Sequence, residues 1–172
     1  MPDEVAALVG VQSTLGAPAF VTVARGMSHF GEHAGGWVAL SVFGALLSRR
    51  RRREWLLVGV GALAAHAAAI AIKMVVRRPR PNDPAVAVNV ATPSALSFPS
   101  AHATSSTAAA VLLCRATRSP VPLVVVPLMA LSRLVLGVHY PSDVLAGIGV
   151  GATVAATAAR LGGPGRRAQT HE

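Results

Sequence analysis

From Trp55 to Val76 the chain runs for about twenty residues with no acidic side chain and only His66 and Lys73 able to ionise, which matches the roughly twenty apolar residues that a helix needs to cross a bilayer. A run of that kind commits a chain to lipid. Further apolar runs lie at 34–48, 101–116, 121–138 and 142–161, the first of them short for a span. The pattern predicts an all-α, polytopic membrane helix bundle of about five transmembrane helices. Residues 4–30 are too polar and too broken to cross. They suit an N-terminal helix lying in the interface, kinked near Gly16 to Pro18. The expected organisation is an interfacial region 1–33, a membrane domain 34–161 and a disordered cytoplasmic tail 162–172.

Composition agrees. Apolar residues make up 52% of the 172 and charged residues 13%, against about 25% charge in a soluble domain. The net charge of +9 could suggest nucleic acid, but aromatics are 4% and the basic residues fall in short clusters between apolar runs, without the stacking residues such binding uses. No nucleic-acid partner is expected. The single cysteine, Cys114, excludes an intrachain disulfide and a thiol zinc site. Met1-Pro2-Asp3-Glu4 lacks the basic start and apolar core of a cleaved signal, so the chain is expected to enter the membrane through its own spans. Oligomeric state has no signature here.

Successive loops alternate sides, and basic residues favour the cytoplasm. Arg49 to Arg53, Arg115, Arg118, Arg160, Arg166 and Arg167, ten in all, fall on one side; Arg25, Lys73, Arg77, Arg78, Arg80 and Arg133, six in all, fall on the other. The run of five arginines reads as a topology signal. The remaining polar groups converge on the less basic, non-cytoplasmic face of the cell membrane. Lys73 and Arg80-Pro81 end the second span and open a proline-rich loop. Pro99-Ser100-Ala101-His102 starts the third span, and Ser132-Arg133 through His139 to Asp143 joins the fourth to the fifth. Ionisable groups kept at membrane depth point to function.

The set suits phosphoryl transfer, which needs charge neutralised, a nucleophile in line and an acid for the leaving oxygen. Lys73, Arg80 and Arg133 can clamp nonbridging oxygens, arginine through paired donors. Ser100 sits where a helix begins, so its hydroxyl and the free amides of Ala101 and His102 can add hydrogen bonds. Two histidines remain to share nucleophile and acid. Asp143, four residues after His139, can hold one ring nitrogen protonated and leave the other free to attack, which makes His139 the nucleophile and His102 the general acid.

These residues resemble the type-2 phosphatidic acid phosphatase family of membrane lipid phosphatases, whose site is shared with vanadium-dependent haloperoxidases. The family pattern is Lys-x6-Arg-Pro, Pro-Ser-Gly-His and Ser-Arg-x5-His-x3-Asp. This chain meets it in order, with Ala101 in place of the glycine. The resemblance implies a phosphohistidine on His139, hydrolysed by water that His102 activates, with no metal or other cofactor. The stretches Met27-Ser-His-Phe-Gly-Glu-His33, Arg51-Arg-Arg-Glu-Trp55, Ala87-Val-Asn-Val90 and Leu96 through Thr104 look like those of short actinobacterial members that act on decaprenylphosphoryl-5-phosphoribose in arabinan precursor synthesis. That resemblance implies a polyprenyl-linked phosphosugar as substrate. Undecaprenyl pyrophosphate and phosphatidylglycerophosphate are alternatives within the family, and a phospholipid-binding or transport protein is the alternative outside it.

Other polar residues have plainer readings. Arg77 and Arg78, outside the motif, are expected at lipid headgroups. His66 is expected to pack within its span, and His29, Glu32 and His33 to be ordinary interfacial residues. Gly147, Gly149 and Gly151 are expected to permit close helix packing.

Overall fold

The computed structural model describes residues 2–163; the expected disordered tail, from residue 164 on, lies outside the described residues. Among the described residues seven α-helices follow one another: α1 Pro2–Leu15, α2 Pro18–Gly31, α3 Gly35–Leu47, α4 Arg52–Val76, α5 Ala101–Thr117, α6 Val125–Val135 and α7 Pro141–Leu161. Short 3-10 turns lie at Glu32–Ala34, Arg49–Arg51 and Val121–Val124. Strand pairing among the described residues amounts to one isolated antiparallel bridge, Pro79 with Leu96. The all-helical expectation holds, and each expected span begins and ends within four residues of an observed α-helix. By length and apolar composition, Arg49–Val76 and Pro141–Leu161 can cross a membrane, and a third span arises if Asp3–Leu15 and Pro18–Leu47, bent by 114°, are taken as one. The kink expected near Gly16 is therefore a sharp corner between two helices.

Local chemistry explains where the helices stop. Arg77 closes α4 in the left-handed region at φ 53°, donating its amide to the Lys73 carbonyl, and Pro79 bars continuation. Helix α6 ends at Val135, short of the expected Val138. Gly137 turns the chain there at φ +69°, where a Cβ would run into the Ala87 carbonyl, and only glycine takes that conformation without strain. Pro141 opens α7 at a position where its missing N–H costs nothing.

The bundle is built inside out relative to a soluble protein. Helix α5 lies at the centre, packed against α4, α6 and α7, and its buried residues are small and hydroxylic: the run Thr104, Ser105, Ser106 and Thr107 is flanked by Ala103 and by Ala108 to Ala110. Meanwhile Val42, Phe43, Leu46 and Leu47 on α3, Val60 and Leu63 on α4 and Leu145 on α7 point outward. Lipid is as apolar as leucine, so outward hydrophobes cost nothing there, and helices associate through small residues that allow close approach. Gly147 and Gly151 show this. A Cβ at Gly147 would lie 2.8 Å from the Ser100 carbonyl oxygen, and one at Gly151 2.9 Å from Thr107 Cβ. Gly149 departs from its expected packing role, since nothing lies within 4 Å of its Cβ position. Trp37 on α3 donates its indole N–H to Ser106 Oγ at 3.1 Å, and Phe30 meets its ring edge-on at 4.8 Å.

Helix α4 is about 37 Å long at 1.5 Å per residue, so its two ends reach opposite faces of a bilayer. Its N-terminal end carries Arg49 to Arg53, which with Arg115, Leu56, Val60 and Leu112 line a cavity of about 580 Å³. Lys73 lies at the other end.

Candidate active site

The loop between α4 and α5 is extended and ordered rather than free. Arg80 N–H donates to the Ala95 carbonyl at 3.2 Å and Ser97 N–H to the Arg78 carbonyl at 2.8 Å. Ser97 Oγ also bonds the Pro79 carbonyl at 2.9 Å. Residues 78–80 and 95–97 therefore form one two-ply segment that crosses the end of the bundle and brings Arg80 over the α6–α7 junction.

At that junction His139 is 3% exposed and Asp143 is fully buried in the first turn of α7. His139 Nδ1 lies 3.6 Å from Asp143 Oδ2, an ion-pair separation longer than a hydrogen bond. Arg80 NH1 approaches His139 Nε2 at 3.3 Å. A guanidinium can only donate, so this contact makes Nε2 the acceptor and puts the ring proton on Nδ1, facing the carboxylate. Burial pushes the His139 imidazole down to about 4; Asp143 pulls against this, and the Arg80 and Lys73 cations add to it. The ring is neutral at ordinary pH with its Nε2 lone pair toward Arg80, as a nucleophile requires.

The cations are held by backbone acceptors. Arg80 donates from Nε to the Ser94 carbonyl at 2.8 Å and from NH1 to the Val138 carbonyl at 2.6 Å. Lys73 Nζ bonds the carbonyls of Leu96 at 2.8 Å and Ser97 at 3.2 Å, which leaves one of its three protons for a ligand. Arg133, 2% exposed, reaches Ser132 Oγ from Nε at 3.2 Å, Ser28 Oγ from NH1 at 3.1 Å and the Ala24 carbonyl from NH2 at 3.4 Å. Ser100 caps α5, its Oγ accepting from the Ala103 amide at 3.4 Å, and its own amide donates to the Asp143 carbonyl at 3.0 Å. This joins the starts of α5 and α7. Ala101 and His102 follow as the first helical residues of α5, where amides have no partner within the helix.

His102 Nε2 lies 3.0 Å from the Ser28 carbonyl oxygen. A carbonyl only accepts, so Nε2 carries a proton and Nδ1 of the neutral ring is the acceptor. In this arrangement His102 is set to take a proton first and to give one only after it has done so. Its ring rests on Gly31, whose Cβ position is 2.7 Å from His102 Cδ2.

Three residues of this region had not been singled out for the site. Ser28 on α2 bonds both Arg133 and His102. Arg78 does not point at headgroups: its NH1 donates to Asp143 Oδ1 at 2.8 Å and Ser142 Oγ at 2.6 Å, and its guanidinium stacks on Tyr140 at 4.2 Å. Glu4 on α1 receives Arg78 NH2 at 2.6 Å. The separation drawn between an interfacial region 1–33 and the membrane domain runs across these bonds. The residue pattern carried no sign of them, because each partner pair is 74 or more residues apart, apart from the Arg78 contacts to Ser142 and Asp143. His66 is half-buried, its Nδ1 lacks a partner, and its ring lies 5.9 Å from that of His33. His29 and Glu32 approach to 3.8 Å at the surface, and no metal-holding group of three His, Cys, Asp or Glu occurs among the described residues.

Comparisons with known proteins give the family and the fold. Residues 54–164 match the PAP2 superfamily. The chain is 60% identical over 167 residues to the decaprenylphosphoryl-5-phosphoribose phosphatase of Mycobacterium tuberculosis, covering 96% of this chain and 94% of that one. It is 64% identical over 145 residues to the protein of the same name from Mycolicibacterium smegmatis, covering 84% and 81%. Its fold is similar to the crystal structure of a transmembrane PAP2-type phosphatidylglycerolphosphate phosphatase from Bacillus subtilis, with a TM-score of 0.72 at 21% identity over 91% of this chain and 84% of that one.

Proposed function

The chain belongs to the PAP2 superfamily of membrane lipid phosphatases, and on that footing we propose that it hydrolyses decaprenylphosphoryl-5-phosphoribose to decaprenylphosphoryl ribose and phosphate, in arabinan precursor synthesis for the cell wall. The observation that carries the substrate is the 60% identity over 96% of the chain to a phosphatase named for it. The Bacillus neighbour, at 21% identity, supports the fold alone.

In the proposed reaction Lys73, Arg80 and Arg133 hold the nonbridging oxygens of the terminal phosphate, with the amides at the start of α5 beneath it. His139 Nε2 attacks phosphorus. A P–N bond forms as the P–O bond to the ribose oxygen breaks, and the leaving oxygen takes from His102 the proton that its Nδ1 has first accepted from the monoanionic phosphate. Asp143 stabilises the positive charge that develops on the imidazole. Water then gives its proton to His102, attacks the phosphohistidine and releases inorganic phosphate from His139. No step calls for a metal. The site is on the non-cytoplasmic side, because it lies at the end of α4 opposite Arg49 to Arg53 and basic loops stay in the cytoplasm.

Phosphate release by the purified protein in detergent, with chelator present, tests this on decaprenylphosphoryl-5-phosphoribose, undecaprenyl pyrophosphate and phosphatidylglycerophosphate. The phosphoribosyl lipid should be preferred, and His139→Ala should abolish release while the protein keeps its thermal transition. Preference for another lipid would overturn the substrate, full release by His139→Ala would overturn the nucleophile, and no release from any lipid would favour a phospholipid-binding protein.

A further inference from the structure

Helix α1 reaches the catalytic pair through one carboxylate. Glu4 Oε2 accepts from Arg78 NH2 at 2.6 Å, while Glu4 Oε1 accepts from the Ser142 amide at 3.1 Å and from Ser142 Oγ at 2.5 Å. The other prong of the same guanidinium, NH1, holds Ser142 Oγ and Asp143 Oδ1. Asp143 is thus pinned from two sides, Oδ1 by Arg78 and Oδ2 by the Tyr140 amide at 2.8 Å. With both in place Oδ2 faces His139 Nδ1 at 3.6 Å. A planar fork presents its donors in a fixed geometry, so the carboxylate that grips one prong sets the direction of the other. The Arg78 side chain is 12% exposed, Glu4 25% and Asp143 fully buried. The network therefore lies where water competes weakly and hydrogen bonds hold direction.

We infer that Glu4 is a positioning residue for the His139–Asp143 pair, acting through Arg78 and Ser142, so that the N-terminal helix is part of the catalytic apparatus. The inference rests on His139 being the nucleophile of the proposed reaction. Docking of α1 does not depend on Glu4. Gln12 holds the other end of the helix, donating to the Ala87 carbonyl at 2.7 Å and the Val135 carbonyl at 3.1 Å and accepting from the Ala87 amide at 3.0 Å. Leu8, fully buried, packs on Val86 and Tyr140 between them. A helix that merely tethers the chain to the interface would tolerate loss of one carboxylate. A helix that aims Asp143 would not.

The test is a cycle of Glu4→Gln, Arg78→Gln and the double variant, read as kcat and KM for phosphate release in detergent. Glu4→Gln should lower kcat about tenfold and Arg78→Gln about a hundredfold, the order of cost of a misplaced catalytic group, both with KM within about twofold because neither side chain reaches the phosphate cations. The double variant should match Arg78→Gln alone, since Glu4 acts through it. Unchanged kcat in Glu4→Gln, a raised KM in place of a lowered kcat, or multiplicative losses in the double variant would each overturn the inference. If Glu4→Gln loses its thermal transition, Ser142→Ala takes its place, with a fall in kcat expected and an unchanged kcat refuting. Orthovanadate binding, which needs a poised histidine nitrogen but no turnover, separates this inference from the substrate assignment. Wild type that binds vanadate but releases no phosphate from any lipid would fail the substrate reading alone. Weaker vanadate binding by Glu4→Gln would still support the relay, and equal binding would refute it.

Discussion

A single methyl group at Gly31 should disable the site without unfolding the protein. Gly31 ends α2 at φ −81°, ψ −7°, a conformation that alanine takes freely, so Gly31→Ala adds no backbone strain. The new Cβ would stand 2.7 Å from His102 Cδ2, 3.2 Å from Met129 Cε and 3.5 Å from His102 Nε2. Carbon atoms rest about 3.5–4.0 Å apart, so the ring must retreat by about 0.8 Å or more. The Nε2 to Ser28 carbonyl bond, 3.0 Å now, would open beyond hydrogen-bond range, and a displacement of about 1 Å in a catalytic group costs on the order of a hundredfold in rate. Overpacking in a tight core costs about 1–3 kcal/mol, with the lower end expected here because Met129 is flexible. Phosphate release and thermal melting in detergent measure both. Gly149→Ala on α7, where nothing lies within 4 Å, serves as the control and should match wild-type rate with equal or slightly raised stability. Wild-type kcat in Gly31→Ala would refute the placement of His102 in the reaction.

The acid limb of the kcat profile should move with Arg80. His139 must be neutral to attack, and burial with the Arg80 and Lys73 cations against Asp143 sets its value at about 4, so activity persists until pH falls through that value. Removing the Arg80 charge lets the ring protonate more easily, so Arg80→Gln should shift the limb to higher pH in addition to lowering kcat, and a limb that stays in place on the same substrate would refute the contact. Trp37→Phe should destabilise the fold by about 1–3 kcal/mol, because it leaves Ser106 Oγ without its indole donor in a buried position, and an unchanged thermal midpoint would refute that bond.

Sequence by itself determined the helices, the motifs and their convergence at one end of the bundle. Apolar runs must become helices in lipid, where every backbone group has to be satisfied within its own segment, so span positions follow from composition and their ends from Pro79, Ser100, Gly137 and Pro141. The spacing of four between His139 and Asp143 is likewise local, and the pair meets although His139 precedes the helix. Tertiary structure alone decided what holds these groups. Ser28 joins Arg133 to His102, Arg78 turns to Asp143 instead of to lipid, and Glu4 reaches across 74 residues to Arg78. Glu4 and Ser28 lie on the two N-terminal helices, whose polar composition reads as interfacial until the corner at Gly16 folds them over the site. Hydrophobic periodicity records which face of a helix meets lipid, but a hydrogen bond between distant residues leaves no periodic trace, and only the packing of α1 and α2 on the bundle brings such pairs within reach.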